Sequence, residues 1–272
     1  MTATGTPSQP PTDRPCPLCD QPTRFAGAVD FNKSGADVFA GARQFAPSVE
    51  LVSYLRCGSC GFMFTSFFDG WTDAEFSARV YNAEYLRADP PFEEERPARL
   101  AGYLAAVLAE HLGAISMLDF GSGAGRMVEL LRARGLTDGH AYDRYHAEGP
   151  APTGPFDLVT AFEVVEHVVD QVALLQSLCG LVAEGGVLVL STLLQPADIE
   201  DLGAAWWYAC PRNGHLAFHT SESLAGLLEQ FGFELRSVSN ELHVAFRRPG
   251  ALARSFLDSA QHLEVSGPEA GS

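Results

Sequence analysis

Three glycines at alternate positions, Gly121, Gly123 and Gly125, stand between an apolar strand pattern at residues 115–120 and a helix pattern at residues 126–134. A turn of this kind lets backbone approach a ligand closely, and the helix that follows offers N–H groups at its start. The alternation continues along the chain. Residues 139–143, 157–162 and 187–192 read as strands, and residues 168–182 and 224–231 as helices. Thr220 or Ser221 caps the last of these and Gly232 closes it. Upstream, Leu100, Tyr103, Leu104, Val107, Leu108 and Leu112 recur with helical period and define one buried face. Strand–helix alternation of this length predicts an α/β, Rossmann-like, doubly wound sheet, closed by antiparallel strands at residues 233–238 and 242–246.

One connection is too short for that plan. Only twelve residues separate Asp143 from Phe156, and they contain Pro150, Pro152, Pro155, Gly149 and Gly154. Neither a helix nor a further strand survives that composition. The third strand and its helix are therefore expected to be missing, leaving six strands.

Six cysteines divide by spacing. Cys16-Pro-Leu-Cys19 and Cys57-Gly-Ser-Cys60 are C-x-x-C knuckles, each able to bring two sulfurs to one tetrahedral ion. Gly61 suits the turn after the second knuckle, and Asp20 suits the first less well. The gap between the pairs carries Phe25, Phe31, Val38, Phe39, Phe45, Val49, Leu51 and Val52, which are side chains of strand type. The pattern predicts a small N-terminal zinc-ribbon-like module with Cys16, Cys19, Cys57 and Cys60 as ligands, four-thiolate iron being the alternative. Cys179 and Cys210 stand alone and are expected to be core thiols.

Asp119 precedes the glycines by two positions, and Asp143 ends the next strand, where a carboxylate can accept both hydroxyls of a ribose. The dinucleotide fingerprint needs a third glycine where this chain has Arg126, which argues against a nucleotide-dependent oxidoreductase. Asp119-x-Gly121-x-Gly123-x-Gly125 resembles motif I of class I S-adenosylmethionine-dependent methyltransferases. Phe156-Asp157-Leu158-Val159 with Glu163-Val164-Val165-Glu166-His167 resembles the fourth strand and E-V-x-E-H signature of one branch. Gly185–Leu190 and the stretch from Trp206–Tyr208 through His215 to Phe233 are similar to later parts of that branch. The likeness spans roughly residues 97–246. It implies that Asp119, Gly121, Ser122, Gly123, Gly125, Asp143, Phe162 and Glu163 bind S-adenosylmethionine, and that Tyr81 and Tyr85 cover it. With the third strand missing, the usual acid for adenine is missing too, and Tyr145 or Phe162 must take its place. An N-terminal four-cysteine module occurs in some members.

Glu163, Glu166 and His167 stand at i, i+3 and i+4, so a helical turn beginning at Glu163 would put all three on one side. With His215 they form a candidate site for Mg²⁺, Mn²⁺ or Zn²⁺, which would lower the pKa of a substrate hydroxyl. Such a set looks like the metal site of small-RNA 2′-O-methyltransferases and of ubiquinone-pathway O-methyltransferases. The alternative is that Glu163 lines the cofactor pocket while Glu166 and His167 cap a helix. His167, His215 and His219 are the candidate proton acceptors. Trp206, Trp207 and Tyr208 lie in a long connection, where they either stack on a flat acceptor or pack beneath the loop.

Charge narrows the acceptor. The net charge is −16, Lys33 is the one lysine, and no basic block occurs. Nucleic-acid and anionic-membrane binding both rest on clustered cations, so neither partner is expected. No apolar run approaches the ~20 residues of a membrane helix. The expectation is a soluble, cytoplasmic enzyme acting on a small molecule, with a hydroxyl as the first choice of acceptor. The rival is a scaffold in which the cysteine module recruits a partner and the methyltransferase-like part is vestigial. The expected organisation is a disordered tail (1–14), the four-Cys module (15–66), a helical connector (67–96), the S-adenosylmethionine-binding domain (97–248) and a polar tail with one weak helical turn (249–272).

Overall fold

A computed structural model describes residues 14–146 and 150–263. The N-terminal part begins with strand β1 (Thr23–Asp30), the short helix α1 (Ala36–Ala40), β2 (Leu51–Cys57) and β3 (Met63–Phe64). Helices α2 (Asp73–Arg79) and α3 (Tyr85–Ala88) lead to α4 (Glu95–Val107). Then come β4 (Ser116–Phe120), α5 (Arg126–Arg132), β5 (Asp138–Tyr142), β6 (Phe156–Phe162), α6 (Gln171–Gly180) and β7 (Val182–Ser191). The chain ends with α7 (Ile199–Leu202), β8 (Ala217–Phe218), α8 (Ser221–Glu229), β9 (Glu234–Ser237), β10 (Leu242–Phe246) and α9 (Ala251–Leu263).

Six strands form the main sheet, in the order β5-β4-β6-β7-β10-β9. The first four run parallel, and β10 and β9 close the sheet antiparallel. No strand or helix lies between β5 and β6 among the described residues, so β5 is the sheet edge where a third strand was expected to be missing. Its side chains agree: Asp138 and His140 are exposed and pair with each other.

Both faces of the sheet are covered, which accounts for its nearly continuous apolar strands. On one face Leu104 of α4 and Val128 and Leu131 of α5 pack against Met117, Leu158 and Val189. On the other, Leu175 and Leu178 of α6 and Leu224 and Leu228 of α8 pack against Leu118, Val159 and Leu188. The expected polar tail departs from this reading. Residues 251–263 form α9, whose Leu252, Ala253 and Phe256 join the first face. Burying Phe256 contributes about 2–3 kcal/mol. Leu252, Phe256, Leu257 and Leu263 are the large apolar side chains of that stretch, and Gly250 and the polar residues between them hide its helical period in the sequence.

The cysteine module is not closed on itself. Its sheet runs β1-β2-β3-β8, so its last strand comes from the connection after β7. Lys33 adds a second tie, as its Nζ donates to the carbonyls of Ala204 and Trp206 at 3.0 and 2.6 Å. A third core, which includes Tyr54, Phe62, Phe68, Trp206 and Phe218, fills the space between module and connection. No helix among the described residues is long and apolar enough to cross a membrane.

Candidate active site

The glycine loop is locked rather than open. Gly121 and Ser122 donate their N–H groups to the Tyr142 carbonyl at 2.7 and 3.1 Å, and Gly123 donates to Asp143 Oδ2 at 3.0 Å. The free N–H groups expected at this turn are therefore engaged, and they fix the end of β5. Gly121 has φ +79°, and a Cβ there would lie 2.3 Å from Val164 Cγ2, so glycine is needed for both conformation and space. Asp143 Oδ1 accepts the N–H groups of Tyr145 and His146 at 2.8 and 3.2 Å. Asp119 is buried and accepts the Thr160 hydroxyl at 2.8 Å. Burial pushes its carboxyl up to about 7, against the Thr160 hydrogen bond and with help from the Asp143 charge. The Phe92 ring covers Gly123.

A cavity of about 820 Å³ opens beside this loop and includes Gly121, Asp143 and Glu163 in its walls. Its aromatic side is built by the connector and the β5 end: Phe76, Tyr81, Tyr85 and Tyr145, with Tyr81 and Tyr145 ring centres 4.7 Å apart. Tyr81 and Tyr85 thus stand in the cavity wall, as does Tyr145. Phe162 is nearly buried at the end of β6 and touches the cavity too. Arg96 and Asp89 form a two-pronged ion pair in the wall, at 2.8 and 2.7 Å. Sequence reasoning missed this pair, because the acidic run beside it reads as an ordinary helix start.

Farther in, Glu166, His167 and His215 bring one ligand atom each to within 4.8 Å of one another. Glu166 and His215 are buried and His167 is half-buried, and both histidines line the cavity. Glu163 stands apart from this trio, which corrects the expected helical spacing. Its φ is +52°, so the chain turns left-handed at the end of β6, and a short 3-10 turn begins only at Val165. Glu163 Oε1 instead accepts the Ser191 hydroxyl at 2.9 Å. Its place beside the trio is mediated by Tyr208, whose hydroxyl donates to Glu166 Oε1 and lies 3.4 Å from Glu163 Oε2.

The hydrogen bonds leave an imidazole nitrogen and a carboxyl oxygen open at this point. His215 Nδ1 lies 2.8 Å from the Tyr208 carbonyl, so it carries the proton and Nε2 keeps a lone pair. His167 Nδ1 is engaged by the Tyr81 hydroxyl at 3.2 Å. Glu166 Oε2 is buried with no hydrogen-bond partner. Burial pushes both imidazoles below their ordinary range, with His215 beside His167 adding to its shift. Burial, and then the Glu163 charge, push the Glu166 carboxyl well above the ordinary carboxylate range. Two imidazoles and a carboxyl with an orphaned oxygen match the donor set of a divalent cation, and the bond from His215 Nδ1 orients its ring.

His219 does not belong here. Its Nδ1 pairs with Ser223 and its Nε2 with Gln171, its ring packs against Phe62, and it lies outside the cavity. Burial lowers it to about 3, so it is a neutral hydrogen-bonding side chain of the core and is withdrawn as a candidate base. The three aromatics of the long connection divide: Trp206 is buried against Phe218, Trp207 lines the cavity against Phe39, and Tyr208 holds Glu166. Cys179 is a core thiol, whereas Cys210 lies 3.3 Å from His215 Nδ1 at the cavity edge.

In the module the four sulfurs gather. Cys16–Cys60, Cys19–Cys57 and Cys19–Cys60 separations are 3.7, 3.6 and 3.6 Å, and no disulfide joins them. A tetrahedral ion with bonds of about 2.3 Å to sulfur would set its ligands about 3.8 Å apart. Asp20 and Gly61 both adopt left-handed backbone after their knuckles, at φ +58° and +76°. The two knuckles thus share one turn, and Asp20 reaches it with a side chain that tolerates that region.

A model of the methyltransferase-domain family matches residues 92–238. Among curated proteins, the ubiquinone biosynthesis O-methyltransferase of Xanthomonas axonopodis pv. citri is 28% identical, covering 70% of this chain and 86% of that protein. The protein of the same name from Xylella fastidiosa is 26% identical over 70% of this chain and 83% of its own length. Among solved structures, an O-methyltransferase family protein from Burkholderia thailandensis aligns with a TM-score of 0.46 and 17% identity, covering 65% of this chain and 63% of that one.

Proposed function

The chain belongs to the methyltransferase-domain family, and from that premise we propose that it carries the methyl group of S-adenosylmethionine to a hydroxyl oxygen of a small molecule. The observation that carries this reading is the cavity that runs from Gly121 and Asp143 to His167 and His215, behind which Glu166 is buried within ligand distance of both. The names of the two bacterial relatives, both O-methyltransferases of ubiquinone biosynthesis, support an oxygen acceptor.

In this reading Asp143, fixed by three backbone N–H groups, receives the ribose hydroxyls, and the glycine loop borders the methionine part. Tyr145 and Phe162 offer aromatic surface to adenine in place of the missing third strand. Glu166, His167 and His215 would hold a divalent cation. That cation, when bound, supplies Lewis acidity that lowers the pKa of an acceptor hydroxyl. The residues themselves orient the acceptor; with their lone pairs committed to the cation, the proton of the acidified hydroxyl passes to solvent through the cavity that His167 and His215 line. The sulfonium is already activated, so holding the oxygen in line provides much of the rate. Cys16, Cys19, Cys57 and Cys60 hold a structural zinc ion in the module.

Calorimetric titration with S-adenosylhomocysteine tests the cofactor. Micromolar affinity is expected, weakened about 10–100-fold in Asp143→Ala through loss of charge-assisted hydrogen bonds. Absence of heat from a folded protein would overturn the reading. A screen of hydroxylated and amino metabolites with methyl-labelled cofactor identifies the acceptor, and label confined to nitrogen would remove the oxygen assignment.

A further inference from the structure

The cysteine module touches the trio through one peptide unit. The carbonyl of His215 accepts the Tyr54 hydroxyl at 2.7 Å. The N–H at the other end of the same peptide, on Leu216, donates to the Glu166 carbonyl at 2.8 Å. A donor on the carbonyl strengthens the N–H as a donor, so the two bonds support each other. One end of this peptide therefore rests on β2, and the other on the turn that carries Glu166 and His167.

The neighbouring residues are set by the same module. Thr65 N–H donates to the Leu216 carbonyl at 3.0 Å, and β3 pairs with β8 through Met63–Phe218 and Phe64–Ala217. Gln195 Nε2 bridges the carbonyls of Gly61 and Phe218 at 2.8 Å each, and the Thr220 hydroxyl donates to the Cys60 carbonyl at 3.1 Å. Tyr54 itself has no exposed surface, and its ring lies 5.6 Å from that of Phe218. It shares β2 with Cys57, so the knuckle and the tyrosine belong to one strand. A phenylalanine would fill the same space, which leaves the hydroxyl's bond to His215 as the feature that requires tyrosine.

We infer that Tyr54 is a positioning residue through which the four-cysteine module holds His215 against Glu166. The module then acts as a buttress of the active site, and the tie to His215 gives it a task besides recruiting a partner. The inference rests on the reading of Glu166, His167 and His215 as a cation site, and its test separates the two.

The test titrates Mn²⁺ into the zinc-loaded full-length chain and follows free Mn²⁺ by electron paramagnetic resonance. Mn²⁺ favours carboxylate over thiolate, which directs it away from the cysteines. The proteins are wild type, Tyr54→Phe, His215→Ala and the double variant. Tyr54→Phe should bind Mn²⁺ about 10–100-fold more weakly, the usual effect of removing a group that orients a ligand, while zinc content is unchanged. In the His215→Ala background the same substitution should weaken binding no more than about 3-fold, because its route of action is gone. Wild-type affinity in Tyr54→Phe would overturn the inference. So would an equal loss in both backgrounds, which would mark a general structural effect. Equal binding by wild type and His215→Ala, or none by wild type, would instead overturn the cation reading, and this inference with it.

Discussion

Glu166→Gln should make the cation-free protein more stable while removing the cation. Glu166 Oε1 accepts the Tyr208 hydroxyl, and glutamine keeps an oxygen for that bond. Oε2 is buried without a partner beside the two imidazoles. An orphaned buried polar atom costs about 1–3 kcal/mol, more when charged. Glutamine is neutral without taking up a proton and places an amide N–H beside the histidines, so the cost of burying this carboxyl is removed. For a domain of this size 1 kcal/mol moves the melting temperature by about 2–4 °C, so the gain should be about 2–12 °C. The assay is scanning calorimetry after dialysis into buffer free of loosely bound cations, with zinc content checked by elemental analysis. Added Mn²⁺ at a hundred times its dissociation constant should then stabilise wild type by about 2.7 kcal/mol and leave the variant almost unmoved. A variant that melts below wild type without cation, or that Mn²⁺ stabilises equally, would refute the reasoning.

Three further outcomes follow from the same geometry. Asp119 has its carboxyl raised from 3.8 to about 7 by burial, so the folded chain holds that proton more tightly than the unfolded one. Its contribution is fully present below the unfolded value and is lost as pH rises towards the folded one. The melting temperature of Asp119→Asn relative to wild type should therefore climb from pH 5 to pH 8, and a flat or falling difference would exclude this. Gly121→Ala combines a left-handed backbone with a Cβ 2.3 Å from Val164, at a cost of about 2–5 kcal/mol. It should abolish the heat of S-adenosylhomocysteine binding, and an unperturbed titration would show the loop to be adaptable. Elemental analysis should find about one zinc per wild-type chain and none in Cys57→Ser, since four thiolates are needed to complete the shell. A folded wild-type module without metal would contradict the assignment.

The sequence shows those features that are local or periodic. The βαβ alternation, the proline-rich gap after Asp143 and the C-x-x-C spacing each depend on neighbours in the chain, and each led to the element or cluster found. What it hides is set by contacts distant in sequence. Nothing around Ala217 and Phe218 marks them as the fourth strand of a sheet that begins at Thr23. The left-handed turn at Glu163 breaks the i, i+3, i+4 arithmetic, because that arithmetic assumes the helix it was meant to demonstrate. His219 and His215 are equivalent as sequence signals, and what separates them is that His219 Nε2 is held by Gln171, 48 residues away.

The same distinction explains why the module and the catalytic part are harder to divide than their sequences are. A free-standing zinc ribbon would bring its own last strand, and a free-standing doubly wound domain would fix its own late histidine. Here each takes from the other: β8 completes the module's sheet, and Tyr54 completes the support of His215. The peptide between His215 and Leu216 is common to both arrangements, so displacing it disturbs both at once. Loss of zinc should consequently weaken cation binding at a trio to which no cysteine contributes a ligand, and it should do so before the main sheet, with its two independent apolar faces, begins to melt.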